Sequence, residues 1–286
     1  MEIGIGLPTT IPGLQRHELI DWAKRADAAG FSTLGTIDRV VYPNYEPLIA
    51  LSAAAAVTER IRLTTAILLV PNRQSTAILA KQTATLHLFS QGRLVLGVAV
   101  GGRADDYEPF GVPMAGRGKR LEEMLEELKS LWAGDERGFA GGVGPDVSDS
   151  PPQLIIGGQV DSAFRRAAKY GDGWISGGGP PDMFPAAVEK LEAAWREAGR
   201  EGKPRKLSLA YFALGDDPES DTLASIGDYY AFASEYRDYV VAGTAKGPDE
   251  TRERVRSFEE AGCDELIMVP ASTDPAQVDA LASIVL

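Results

Sequence analysis

A chain of 286 residues with 44% apolar side chains can bury one large core, the size at which α/β barrels occur as a single domain, here over residues 1–286. Its formal charge of −12, with never more than two adjacent Lys or Arg, argues against a nucleic-acid partner and an anionic membrane surface. Cys263 is the single cysteine, so no internal disulfide can form, and His17 and His87 lie too far apart in sequence for a Cys/His metal pattern, so no metal site is expected. With no apolar run near the roughly 20 residues of a membrane span, a cytoplasmic protein is expected.

The run Ile3–Leu7 is apolar and ends at Pro8, which marks a first strand. Over residues 16–29, Leu19, Trp22, Ala23 and Ala26 share one helical face, and Gly30 stands where a C-terminal cap belongs. Thr33–Ile37 is a second strand, followed by a loop Asp38–Tyr45 and an Ala-rich helix. The clearest stretch is 60–102, where the β-branched run Ile61–Val70, the helical spacing of Thr76–Phe89 and the run Leu94–Val100 make a strand–helix–strand unit. Strands apolar on both faces and joined by a helix belong to a parallel sheet covered on both sides.

Further on, Leu121, Met124, Leu125, Leu128 and Leu131 give a helix over 120–132, and the Gly-, Asp- and Ser-rich segment 133–150 is a loop. Leu154–Ile156 is a fifth strand, Asp161 an N-cap for a helix reaching Tyr170, and Gly173–Ser176 a sixth strand. A helix near 182–198, a seventh strand Leu207–Leu214, a polar and aromatic stretch 216–245, a helix 249–261, a strand Glu265–Val269 and a helix 275–284 complete the chain. Cys263, just before that last strand, is expected to be a small buried residue. Eight strands alternating with helices predict a TIM (β/α)8 barrel with short insertions after strands 4 and 7; an open doubly wound sheet is the alternative.

In such a barrel the chemistry sits beyond the C-terminal ends of the strands. Glycines gather there at Gly101, Gly102, Gly157, Gly158, Gly177, Gly178 and Gly179, where they bring backbone N–H groups close to a ligand or simply serve tight turns. Gly157 and Gly158 precede a helix N-terminus, which suits a phosphate. No dinucleotide fingerprint is present, because neither Gly4–Gly6 nor Gly97–Gly102 has the required spacing. Asp105, Asp106 and Glu108 are expected to be a solvated loop rather than a metal site. Asp38 and Arg39, directly after a strand, could position a cofactor or exchange protons with it, Arg39 acting as a fixed charge, or could be an ion pair that only orders the loop. Tyr229, Tyr230, Phe232, Tyr236 and Tyr239 are expected in the core, with a substrate pocket as the alternative.

The runs RIRLTTAILLVPNRQSTAILAKQTATLHLFSQGRLVLGVAVGG, YEPFGVPMAGRGKRLEEMLEELKSLW, PPQLIIGG with AAKYGDGWIS, and VAGTAKGPDETRERVRSFEEAGCDELIMVP together resemble the bacterial luciferase-like flavin-dependent oxidoreductases over nearly the whole chain. The resemblance implies a TIM barrel that uses reduced FMN with oxygen, or an 8-hydroxy-5-deazaflavin coenzyme for hydride transfer. It places Leu7, Pro8, Ala66, Leu68, Leu69 and Val100–Gly102 (Gly101 between them) around the flavin ring, with a non-proline cis peptide between Leu68 and Val70. Gly157, Gly158, Gln159, Val160, Gly177 and Gly178 would hold the cofactor phosphate. Arg39 stands where many relatives have His, so that histidine's role does not carry over. The segment 133–150 and the loop after Ser176 lack the insertions that cap the substrate in larger members.

The expected activity is monooxygenation of a small organic substrate with reduced FMN as co-substrate, delivered by a separate flavin reductase, with Asp38 orienting Arg39 to stabilise negative charge on the flavin. Deazaflavin-dependent hydride transfer is the alternative, and a non-catalytic flavin-binding relative is a third reading. The small-residue faces Ser52–Val57 and Thr76–Ala84 predict a homodimer. Substrate identity is not legible, because pocket loops vary freely on a shared barrel.

Overall fold

In the computed structural model, which describes residues 1–179 and 181–286, strands and helices alternate from the first residues. The first half runs β1 (Glu2–Gly6), α1 (Arg16–Ala29), β2 (Thr33–Thr36), α2 (Pro47–Ala55), β3 (Arg62–Leu69), α3 (Thr76–Phe89), β4 (Leu94–Ala99) and α4 (Arg117–Trp132). The second half runs β5 (Gln153–Gly157), α5 (Asp161–Tyr170), β6 (Gly173–Ser176), α6 (Phe184–Glu197), β7 (Arg205–Ala213), α7 (Pro218–Thr222), α8 (Ser234–Ala242), β8 (Ala245–Lys246), α9 (Gly247–Glu260), β9 (Glu265–Pro270) and α10 (Ala276–Val285).

Eight of these strands close a parallel barrel in the order β1 to β7 and then β9, which pairs with both β7 and β1. The predicted TIM barrel is therefore the fold, and the open sheet is excluded by the β9 pairings. The two-residue β8, which no periodicity announced, pairs only with the end of β7. Among the described residues no helix is long and apolar enough to cross a membrane.

Local signals act as expected at several helix ends. Glu18 accepts the Gln15 N–H at 2.6 Å at the start of α1, and Gly30, with φ of 105°, ends it. At α5 the expectation fails. Val160 is the N-cap and contributes no side-chain hydrogen bond, while Asp161 lies one residue inside the helix and pairs with Lys190 at 3.1 Å.

Two apolar layers hold the barrel. Outward-facing Ile5, Leu34, Leu63, Leu96, Ile156, Trp174, Phe212 and Met268 pack under the helices, and inward-facing Val95, Ile155, Ile175, Leu207, Leu209 and Ile267 fill the interior. Cys263 is buried, and its thiol is pushed up to about 12 by burial, the behaviour of a structural residue.

The N-terminal end of the barrel is closed by a fully buried carboxylate. Glu265 accepts from Arg62 at 2.9 Å, Arg205 at 2.7 Å and Ser32 at 2.5 Å. Both arginines also bind Glu2, so the charges close on themselves.

Candidate active site

At the opposite end, β3 is irregular. Its register with β4 shifts between Thr65 and Leu68, and the cis peptide is Ala66–Ile67, earlier in the strand than the expected Leu68–Val70 position. Ala66 and Ile67 therefore both face inward, breaking the alternation that a regular strand keeps.

A cavity of about 360 Å³ opens beside them, across the C-terminal ends of β3 to β6. The structure brings Ala66, Val100, Gly101, Gly102, Gly157, Gly158, Gln159, Val160 and Gly177 to its wall. It does not bring Leu7, Pro8, Leu68, Leu69 or Gly178 there. Leu7 and Leu68 point into the outer core, Pro8 is buried at the end of β1, and Leu69 packs behind Gly101. Gly178 lies against Tyr211, where a Cβ would come within 2.5 Å of the ring. Ile67, Ala99, Ile175, Ser176 and Leu209 line the cavity without having been singled out, and Arg117, a basic residue suited to an anionic tail, joins them. Ile175 and Leu209 could have been found by counting twos back from the strand ends; Ile67 could not, because its placement depends on the shifted register.

The cavity has one apolar end and one end built for an anion. Ala66, Ile67, Ala99, Ile175 and Leu209 form the first. At the second, Gly158, with φ of 132°, turns the chain into α5, whose first N–H groups have no side-chain cap. A Cβ added at Gly102 or Gly177 would meet no atom within 4 Å, so both glycines leave open space. Gln159 donates to Ser176 at 2.8 Å across the gap, and Arg117 donates to the Gly101 carbonyl at 3.3 Å. A flat apolar ring carrying a phosphate-ended chain fits this donor set and this shape.

Asp38 and Arg39 follow different courses, and the expected pairing between them is not formed. The Asp38 carboxylate is buried and accepts from the Leu69 N–H at 2.9 Å and Arg73 at 3.0 Å, which ties the end of β2 to the end of β3. Burial raises its pKa, and the opposing pull of Arg73 and the Leu69 N–H does not cancel that. Arg39 donates to the Tyr229 carbonyl and lies over the rings of Tyr42 at 4.3 Å, Tyr229 at 5.0 Å and Phe232 at 5.3 Å. Neither residue lines the cavity.

Residues 214–244, between β7 and β8, carry α7, a π-helical turn (Leu223–Gly227) and α8. They extend over the barrel mouth, so a cap exists although the segments after α4 and β6 are short. The expectation of core aromatics holds for Tyr229, which is buried, and in part for Tyr230, which is half-buried against the inner core. Phe232, Tyr236 and Tyr239 are exposed, and a chain of ring contacts runs from Tyr42 through Tyr229, Tyr230 and Tyr236 to Tyr239. Asp106 is not solvated either. It is buried, accepts from the Val40 N–H at 2.8 Å and from Arg103 at 3.0 Å, and Arg103 lies 4.5 Å over the Phe232 ring. These bonds join the loops after β2 and β4 to the cap.

The luciferase-like monooxygenase family model matches residues 1–262. An uncharacterized protein of Mycobacterium tuberculosis is 33% identical over 210 residues, 63% of this chain and 72% of its own. An F420-dependent glucose-6-phosphate dehydrogenase of Amycolatopsis mediterranei is 27% identical over 68% of this chain and 65% of its own length. An FMNH2-dependent dimethylsulfone monooxygenase of Pseudomonas putida is 28% identical over 63% and 52%. Among solved structures, an F420-dependent secondary alcohol dehydrogenase superposes with a TM-score of 0.83 at 18% identity over 99% of this chain and 98% of its own. A Streptomyces bottropensis monooxygenase does so at 0.80 and 23% over 100% and 98%.

Proposed function

Because the chain belongs to the luciferase-like monooxygenase family, whose relatives use FMN or the deazaflavin F420, we propose that it is a monooxygenase using reduced FMN and oxygen on a small organic substrate. The observation that carries this choice is the composition of the cavity wall. Among the described residues its polar side chains are Gln159, Ser176 and Arg117, with no carboxylate or imidazole. Dehydrogenating an alcohol requires a base for the hydroxyl proton, and Asp38, two residues past the end of β2, does not line the cavity and is engaged by Arg73 and the Leu69 N–H.

In this reading Gly157–Val160, Gly177 and the N-terminus of α5 hold the phosphate, with Arg117 at the rim. Ala66, Ile67, Ala99, Ile175 and Leu209 support the ring and exclude water from it. Reduced flavin, when bound, supplies the electrons that activate oxygen. The cap over the mouth shields that reaction from solvent, and Arg39 acts by holding the cap. A separate reductase supplies reduced FMN.

The test is a side-by-side anaerobic titration with reduced FMN and reduced F420, followed by admission of oxygen. Selective reduced-FMN binding and oxygen uptake are expected. Selective F420 binding with no oxygen uptake would replace this reading with hydride transfer.

The homodimer remains part of the proposal, supported by Ile49, Ile78 and Phe89, which stand exposed along a groove of about 500 Å³ between α2 and α3.

A further inference from the structure

Tyr211 stands on the inward face of β7, one layer above Leu209 of the cofactor cavity, with its ring seated on Gly178. Its hydroxyl meets that of Tyr230, from the cap, at 2.6 Å, and the rings are edge to face at 6.1 Å. Two phenols carry two hydrogens, and their mutual bond uses one. Among the described residues neither hydroxyl has another partner, so one donor is left over.

The space beside this pair is about 10 Å³, room for about one water. Its wall includes apolar Ile11, Ile37, Ile226 and Pro270; Thr10 and Tyr229 also line it, and Ser225 donates its hydroxyl to the Asp221 carbonyl at 2.6 Å. The Tyr230 side chain thus fills the barrel mouth at the point where a substrate would approach the apolar end of the cofactor cavity.

We propose that Tyr211 is the hydrogen-bond donor that orients the substrate, and that Tyr230 occupies, while the cap is closed, the place of the substrate's acceptor atom. The substrate class that fits is a small neutral molecule with one oxygen acceptor, such as a ketone, in an otherwise apolar frame. This rests on the oxidoreductase reading for the location of the chemistry, while the hydroxyl pair itself is independent of it.

The two hydroxyls make different predictions. Opening the cap breaks the Tyr211–Tyr230 bond whatever binds, so loss of the Tyr230 hydroxyl helps every ligand equally. Loss of the Tyr211 hydroxyl also removes the ligand's partner, so it abolishes discrimination between an oxygen acceptor and its hydrocarbon isostere.

The experiment measures cyclohexanone and methylenecyclohexane affinities by calorimetry, with and without FMN, for wild type, Tyr211→Phe and Tyr230→Phe. In Tyr211→Phe the ketone-to-hydrocarbon affinity ratio is expected to fall about fivefold, the value of one hydrogen bond. In Tyr230→Phe both ligands are expected to bind about fivefold tighter with the ratio unchanged. Equal effects of the two variants and a constant ratio would mean a purely structural pair and overturn the proposal, as would a wild type with no preference for the ketone. Failure to bind FMN with the ratio still dependent on Tyr211 would count against the functional reading alone.

Discussion

Replacing Arg39 by Met separates its role as a latch from any role toward the cofactor. Met retains the apolar stem that packs among the rings and removes the guanidinium. What is lost is a charge-assisted hydrogen bond to the Tyr229 carbonyl, about 2 kcal/mol, and cation–π contacts with Tyr42, Tyr229 and Phe232, about 0.5–1 kcal/mol each. What is regained is the cost of the buried Arg39 Nε, which has no partner among the described residues, and of an ordered long side chain, together about 2 kcal/mol. The balance is about 2 kcal/mol in favour of an open cap, a factor of about 30. Amide hydrogen exchange read by mass spectrometry should therefore show the peptide spanning Tyr229–Phe232 exchanging about 30-fold faster, with the barrel strands unchanged. Exchange within threefold of wild type at that peptide would refute the reasoning. Acceleration over the whole chain would also refute it, since that reports global destabilisation.

At the closed end of the barrel, Glu265→Ala should cost about 3 kcal/mol in chemical denaturation, because Arg62 and Arg205 lose their shared partner but keep Glu2 and some solvent. His87 is buried, its Nδ1 without a hydrogen-bond partner among the described residues, and burial lowers its pKa from 6.5, outweighing the upward pull of the Ser150 and Leu94 backbone. The unfolded chain then takes up the proton first as pH falls, so stability is unaffected above about 6.5, declines from there to the folded pKa, and levels off below it. His87→Asn should flatten that segment of a plot of stability against pH. Ile78→Glu combined with Phe89→Glu should reduce the light-scattering mass to that of one chain with the circular dichroism unchanged; a dimer that persists would move the interface elsewhere.

Much of the barrel was legible because its signals are local. α3 begins and ends where the spacing of its apolar residues predicts, with Ser75 accepting the Ile78 N–H at 3.2 Å, and the paired glycines do collect at one end of the sheet. The contacts that define the mouth were not legible, because they join residues distant in sequence. Arg39 finds Tyr229 across 190 positions and Asp38 finds Arg73 across 35, and no periodicity encodes either. The aromatic stripe misled for a different reason. Its near-helical spacing implies one buried face, but the chain there passes through a π-helical turn and then a non-helical stretch before α8, so the rings do not share one face: Tyr229 is buried while Phe232, Tyr236 and Tyr239 are exposed. At β3 the shifted register changes which residue faces inward, and a pattern of period two cannot show that.

The pairing of β9 with β1 also bears on how the chain is made. β1 is finished by residue 6, yet one of its two edges is completed only by residues 265–268. During synthesis from the N-terminus, that apolar edge waits without its neighbour until residues 265–268 have emerged. The same holds for the Glu265 carboxylate, which arrives last among the charges it joins, so Arg62 and Arg205 lack their buried partner until closure. Closure is then a single late event of very long loop span, and slow, concentration-dependent loss to edge pairing between unfinished chains is the hazard the topology carries.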